Sequence, residues 1–232
     1  MNAPVSTQWT SLAPGFDGYL ALPPAGHGPG LVLFQEIFGV NEHIRTVAEQ
    51  YALDGFVVLA PDVFWRQSPR VELGYVGDER TRAVALMQGL HAPDAMADIA
   101  TAVAALRARP EVGARKVGAF GYCMGGRFAY LAAASTDVAA AVAFYGGGIH
   151  AQLDRAAAIH CPVQFHYAEH DDHIPLDAVE RVRAAMAGKT AEVHVYPGSM
   201  HGFNCWARAS YHAASAARAH GRATAFLAQH LF

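Results

Sequence analysis

Short apolar runs alternate along this chain with longer segments whose apolar positions recur every three or four residues. The run 31–34 (LVLF) has no polar position and reads as a strand buried on both faces. Over 41–53 the spacing of Ile44, Val47, Ala48 and Tyr51 is helical, and Asn41 is placed to cap it. The next strand, 56–60, is stopped by Pro61 and Asp62. After it, 64–77 is irregular, with Pro69, Gly74 and Gly77. Two helices follow over 80–90 and 94–107, divided by Pro93. The alternation then continues with a strand at 116–120, a helix at 124–134 and a strand at 139–144 that ends in Gly146, Gly147 and Gly148. A strand at 163–167, a helix at 175–187, a strand at 192–196 and an amphipathic closing helix at 211–231 complete it. Such repetition predicts an α/β fold, a mostly parallel central sheet with right-handed crossovers and helices on both faces. With no repeat and no linker, residues 1–232 read as one domain, with 64–77 as a loop over the active site.

Composition narrows the classes. Of the 232 residues, 53% are hydrophobic and 16% charged, which is too apolar for a disordered chain and ample for a core. A formal charge of -3 gives no reason to expect nucleic acid or an anionic membrane as partner. The first residues carry Pro4, Pro14 and Gly15 and lack a basic segment followed by an apolar run, so no secretory signal is expected. No apolar stretch approaches the ~18 residues that span a bilayer. Cys123, Cys161 and Cys205 are odd in number and widely spaced, as suits free thiols in a reducing cytoplasm.

Function in such a sheet collects at the carboxyl ends of the strands. The strand at 116–120 runs into Gly121-Tyr122-Cys123-Met124-Gly125, with Gly126 next and a helix beyond. This has the form of a nucleophile elbow with cysteine in the nucleophile position. The tight strand-to-helix turn demands small residues two before and two after the nucleophile. A thiol at a helix N-terminus also meets the positive end of the macrodipole, which favours the thiolate. Taken alone, Cys123 could instead be a core cysteine beside a glycine-rich turn, the lesser of the two readings. The rest of the chain decides. Asp171 and Asp172 follow the strand at 163–167, and His201, before Gly202 and Phe203, follows the strand at 192–196. Nucleophile, acid and base thus fall in chain order, each just past a separate strand.

Several segments together resemble the dienelactone hydrolase family of the α/β-hydrolase superfamily. They are Gln35-Glu36-Ile37-Phe38-Gly39, Pro61-Asp62, the elbow through Gly126, Phe144-Tyr145-Gly146, Asp171 with Ile174-Pro175, and His201-Gly202-Phe203. The resemblance implies an α/β-hydrolase fold and a cysteine-dependent carboxylic ester or lactone hydrolase acting through an acyl-enzyme. It assigns Cys123 as nucleophile, His201 as base and Asp171 as acid, with Asp172 as competitor. It also places Glu36 against the resting thiol and the amides of Ile37 and Met124 in the oxyanion hole. The residues alone leave open that Glu36 pairs with Arg127 or another basic group.

For substrate binding the resemblance implies two arginines that hold a carboxylate. One matches Arg82. The other belongs at Cys205, which cannot supply a charged fork, although Arg208 lies one turn on. A pocket less suited to anions, and a neutral or bulkier ester or lactone, are therefore expected. Phe38, Tyr145 and Phe203, with Trp65 and Trp206, lie near strand ends and are candidates to line it. His166, His170, Asp171, Asp172 and His173 invite a metal reading, but no second ligand group has recognisable spacing. No metal and no cofactor are expected, and no C-x-x-C motif supports a redox protein. The partner expected is a small-molecule ester or lactone, met by a monomer.

Overall fold

A computed structural model describes residues 4–232. Eight strands form one sheet: β1 (Ser6–Ala13), β2 (Phe16–Leu22), β3 (Gly30–Phe34), β4 (Val57–Pro61), β5 (Val117–Tyr122), β6 (Ala141–Phe144), β7 (Val163–Ala168) and β8 (Ala191–Tyr196). Their order across the sheet is β1-β2-β4-β3-β5-β6-β7-β8. From β4 to β8 all neighbours run parallel. Only β1 and β2 are antiparallel additions. The fold is that of an α/β-hydrolase.

The strands β3 to β7 are buried at every position, because helices cover both faces. Their uninterrupted apolar runs follow from that. β1 breaks the pattern. Its sequence, STQWTSLA, mixes polar and apolar residues, and the strand lies at the sheet edge with half its positions exposed. A pattern-based reading therefore passes over β1; it also misses β2, a buried strand whose apolar run is broken by Asp17 and Gly18, and Gly15, at φ 79°, turns one strand into the other.

Six α-helices pack around the sheet: α1 (Glu42–Leu53), α2 (Gly77–Gln88), α3 (Ala92–Arg107), α4 (Met124–Ser135), α5 (Leu176–Ala185) and α6 (Ala213–Leu231). Asn41 caps α1 as expected, its side chain accepting from the N–H of Ile44 at 3.3 Å. The same side chain donates to the carbonyl of Leu73 and the hydroxyl of Tyr75. It thereby pins the irregular segment after β4.

None of residues 64–77 lines the cavity that holds Cys123. Phe64, Val71 and Leu73 are buried in the core, and Leu73 donates its N–H to the carbonyl of Phe38. The wall facing the site comes instead from α2, which begins at Gly77. No helix among the described residues is long and apolar enough to cross a membrane.

Candidate active site

At the carboxyl end of β5 the chain reverses into α4 through Cys123, whose backbone sits at φ 56°, ψ -116°. This left-handed conformation is costly for any residue with a side chain. The elbow is over-determined by its neighbours. A Cβ on Gly121 would collide with the carbonyl of Gly125, and one on Gly125 with the carbonyl oxygen of Phe34, both closer than the 3.0 Å that Cβ atoms respect. The Cys123 N–H is anchored on the carbonyl of Phe144 at 3.0 Å. Met124 is the first residue of α4, so its N–H has no partner within the helix. Ile37 follows the end of β3, and both residues line the same cavity as Cys123.

The turn after β7 brings in Asp171. Its Oδ1 accepts the N–H groups of His173 (2.9 Å) and Ile174 (3.1 Å). Its Oδ2 meets Nδ1 of His201, which follows β8, at 2.8 Å. The Asp171 side chain is fully buried and that of His201 nearly so. Asp172 is 73% exposed and points to His173 at 3.6 Å, away from His201. Burial opposes a charge on His201, but the Cys123 thiol and the Asp171 carboxylate outweigh it and push the imidazole up to about 10. Nε2 of His201 has no hydrogen-bond partner among the described residues, and His201 and Cys123 line one cavity.

The cavity measures about 300 Å³. Ile37, Phe38, Val84, Met87 and Met124 make it apolar on several sides, and three arginines reach it: Arg80, Arg127 and Arg208. Arg80 lines the cavity, whereas Arg82 does not. On α2, Arg80, Val84 and Met87 share one face at helical spacing, whereas Arg82 lies on another face and donates to the hydroxyl of Ser68 at the surface. Arg127 is half-buried and forms no ion pair among the described residues. Burial lowers its pKa, and the nearby Cys123 opposes that.

Glu36 is held by Arg208, not Arg127, at 2.9 Å between Oε1 and the guanidinium. Gly202, at φ 80°, makes room for this, since a Cβ there would strike the Arg208 guanidinium. Arg208, one turn past Cys205, thus stands both against Glu36 and at the cavity wall. The Cys205 side chain is itself buried, and burial with the Glu36 carboxylate pushes its thiol up to about 12.

Of the aromatic candidates, Phe38 lines the cavity. Tyr145 and Phe203 do not; they are fully buried behind it, 5.5 Å apart, with the Tyr145 ring 5.1 Å from His201. Tyr145, at φ 36°, turns the chain as it leaves β6. Trp65 stacks on Phe16, and Trp206 meets the His43 ring edge-on.

The histidine cluster disperses. His166 is buried between Tyr196 and Gln164, hydrogen-bonded at both ring nitrogens, and His170 faces Glu169. His173 reaches the cavity, its ring 4.9 Å from His201. Arg80 and Val84 line the cavity although the sequence pattern does not single them out, and Arg127 and His173, read there in other roles, line it as well.

Comparison with known proteins places the chain among relatives of one family. The model of the dienelactone hydrolase family matches residues 16–231. A protein of Azospirillum brasilense named "Putative carboxymethylenebutenolidase" is 37% identical over 222 residues, covering 93% of this chain and 94% of that one. The carboxymethylenebutenolidase of Pseudomonas putida is 32% identical over 216 residues, covering 92% and 91%. Among solved structures, a "Putative Dienelactone Hydrolase" from Klebsiella pneumoniae superimposes with a TM-score of 0.85 at 33% identity, over 97% of this chain and 99% of the other.

Proposed function

Because the chain belongs to the dienelactone hydrolase family, and is by that membership a hydrolase of esters or lactones, we propose that it cleaves its substrate through a thioester on Cys123. The single observation that supports this reading best is the shared cavity of Cys123 and His201, with His201 oriented from behind by Asp171. His201 takes the proton of the Cys123 thiol, the resulting thiolate attacks the ester carbonyl, and the carbon becomes tetrahedral. Its oxygen then carries the charge and is received by the N–H groups of Ile37 and Met124. Collapse expels the alkoxide, which takes a proton from the His201 imidazolium, and leaves an acyl group on sulfur. His201, now neutral, draws a proton from water, which attacks the thioester and releases the acid. Asp171 orients His201 throughout and stabilises the imidazolium.

Glu36 is read as a gate. Its Oε1 is held by Arg208 while Oε2 is buried without a partner, so a modest movement of Arg208 frees the carboxylate. A substrate anion that competes for Arg208 supplies the cause. The substrate class is accordingly a small anionic ester or lactone. Arg80 and Arg127 carry no counter-ion among the described residues, and a cavity of about 300 Å³ suits a compact molecule. This reverses the neutral preference expected from Cys205 alone, since Arg208 restores the charge. The whole chain is taken as one catalytic unit, working as a monomer in a reducing cytoplasm where a free thiol persists.

The test compares kcat/KM for dienelactone with that for its neutral methyl ester and for simple aryl esters. Preference for the anion, lost on raising the salt concentration, is expected. A uniform preference for neutral esters would remove the anionic substrate, and unchanged turnover in Cys123→Ala would remove the thioester.

A further inference from the structure

Behind the catalytic cavity three ligating side chains from separate segments converge. Glu36 follows β3, His43 lies in the first turn of α1, and Cys205 follows the His201 turn. One ligand atom from each lies within 4.8 Å of the other two, and all three residues are buried. Two of them carry unanswered polar atoms. Neither ring nitrogen of His43 has a hydrogen-bond partner, and neither has Oε2 of Glu36. Buried polar groups in folded proteins are paired with very few exceptions, so two such residues facing one thiol call for a ligand.

We propose that Glu36, His43 and Cys205 form a binding site for a divalent ion of the zinc type. A carboxylate, an imidazole and a thiolate are the donors such an ion prefers, and the sulfur disfavours magnesium and calcium. Ligand atoms around a tetrahedral zinc sit ~3.4 Å apart, so closure requires side-chain movements on the order of 1 Å. Water fills the fourth position. As the S–metal bond forms, the thiol proton leaves to solvent, and the carboxylate and thiolate together balance the ion's two charges. Arg208, on the other oxygen of Glu36, works against the cation, so the site is weaker than a closed structural zinc site. It is also shallow. The His43 ring packs at 4.4 Å against Trp206, which is 44% exposed.

The catalytic thiol and imidazole could also take up metal, so the experiment separates the two places without relying on turnover. Protein freed of metal with a chelator is titrated with Co²⁺, which gives an intense near-ultraviolet charge-transfer band when bound to a thiolate, and with Zn²⁺ by calorimetry. One ion per chain and the band are expected in wild type and in Cys123→Ser, and the band is absent from Cys205→Ser. His43→Gln, which leaves every thiol in place, should weaken Zn²⁺ at least ~tenfold, the scale seen even for outer partners of metal ligands. A band that survives in Cys205→Ser and vanishes in Cys123→Ser, unchanged affinity in His43→Gln, or no binding in wild type overturns the proposal.

Discussion

Replacing Asp171 by asparagine changes one oxygen into an amide nitrogen and leaves the rest of the site in place. The asparagine Oδ1 can still accept from the N–H groups of His173 and Ile174, at 2.9 and 3.1 Å in the native protein, so the turn after β7 keeps its shape. The new NH₂ group faces Nδ1 of His201, where Oδ2 now sits at 2.8 Å. Two donors cannot share that contact. The imidazole must turn its lone pair to Nδ1 and carry its proton on Nε2, the nitrogen that should take the proton from Cys123. The imidazolium also loses its buried counter-ion. Locking a catalytic histidine in the wrong tautomer costs ~10⁴ in kcat, or ~5 kcal/mol of barrier. Asp172→Asn is the control. Its side chain is 73% exposed and its partner is His173, so kcat/KM should stay within about a factor of two to three of wild type. The assay is p-nitrophenyl acetate hydrolysis at neutral pH, with melting curves to show that both variants fold. Retention of activity within ~tenfold in Asp171→Asn, with a steep fall in Asp172→Asn, would refute the assignment.

Gly125→Ala should prevent folding or sharply lower the melting temperature, because its Cβ would occupy the space of the Phe34 carbonyl. Gly221→Ala, with open space around it in α6, should raise the melting temperature by about 2–4 °C; a tolerated Gly125→Ala would deny the elbow its steric origin. The raised pKa of His201 gives a pH signature. The folded-state imidazolium contributes stability that is fully present below the ordinary histidine value and is lost as pH rises through about 10. Alkaline melting curves should therefore slope downward, and NMR titration should place His201 lower in Cys123→Ala than in wild type, since the thiol's contribution is gone. On an anionic ester Arg80→Ala should raise KM about tenfold with little effect on a neutral ester, whereas Arg82→Ala should change neither. The opposite ranking would return the substrate contact to Arg82.

The parts of the site legible in sequence are those fixed by local sterics or by position past a strand. The elbow needs glycine on either side of Cys123, so its chemistry is written into five consecutive residues. Asp171 and His201 are legible because each closes a strand of the same sheet. The Glu36–Arg208 pair is not, since its members stand 172 positions apart and nothing local links them. Arg80 and Arg82 could not be told apart either. The segment DERTR is polar on all sides, and only the packing of α2 reveals which of two arginines, about 200° apart around the helix, turns inward. β1 was invisible for the converse reason. As an edge strand it buries little, so no apolar rhythm marks it. His43 reads in sequence as one polar residue on an amphipathic helix, and its place beside Glu36 and Cys205 exists only in three dimensions.

The central claim is that the acyl group passes through the sulfur of Cys123. Rapid acid quench during turnover of a slow aryl ester, followed by mass analysis of the intact chain and its peptides, tests it most directly. The account predicts a mass increase of one acyl group, removable by hydroxylamine and confined to the peptide that contains Cys123. Neither Cys161 nor Cys205 should carry it. An acyl group found on any other residue, or full turnover by Cys123→Ala, would contradict the account.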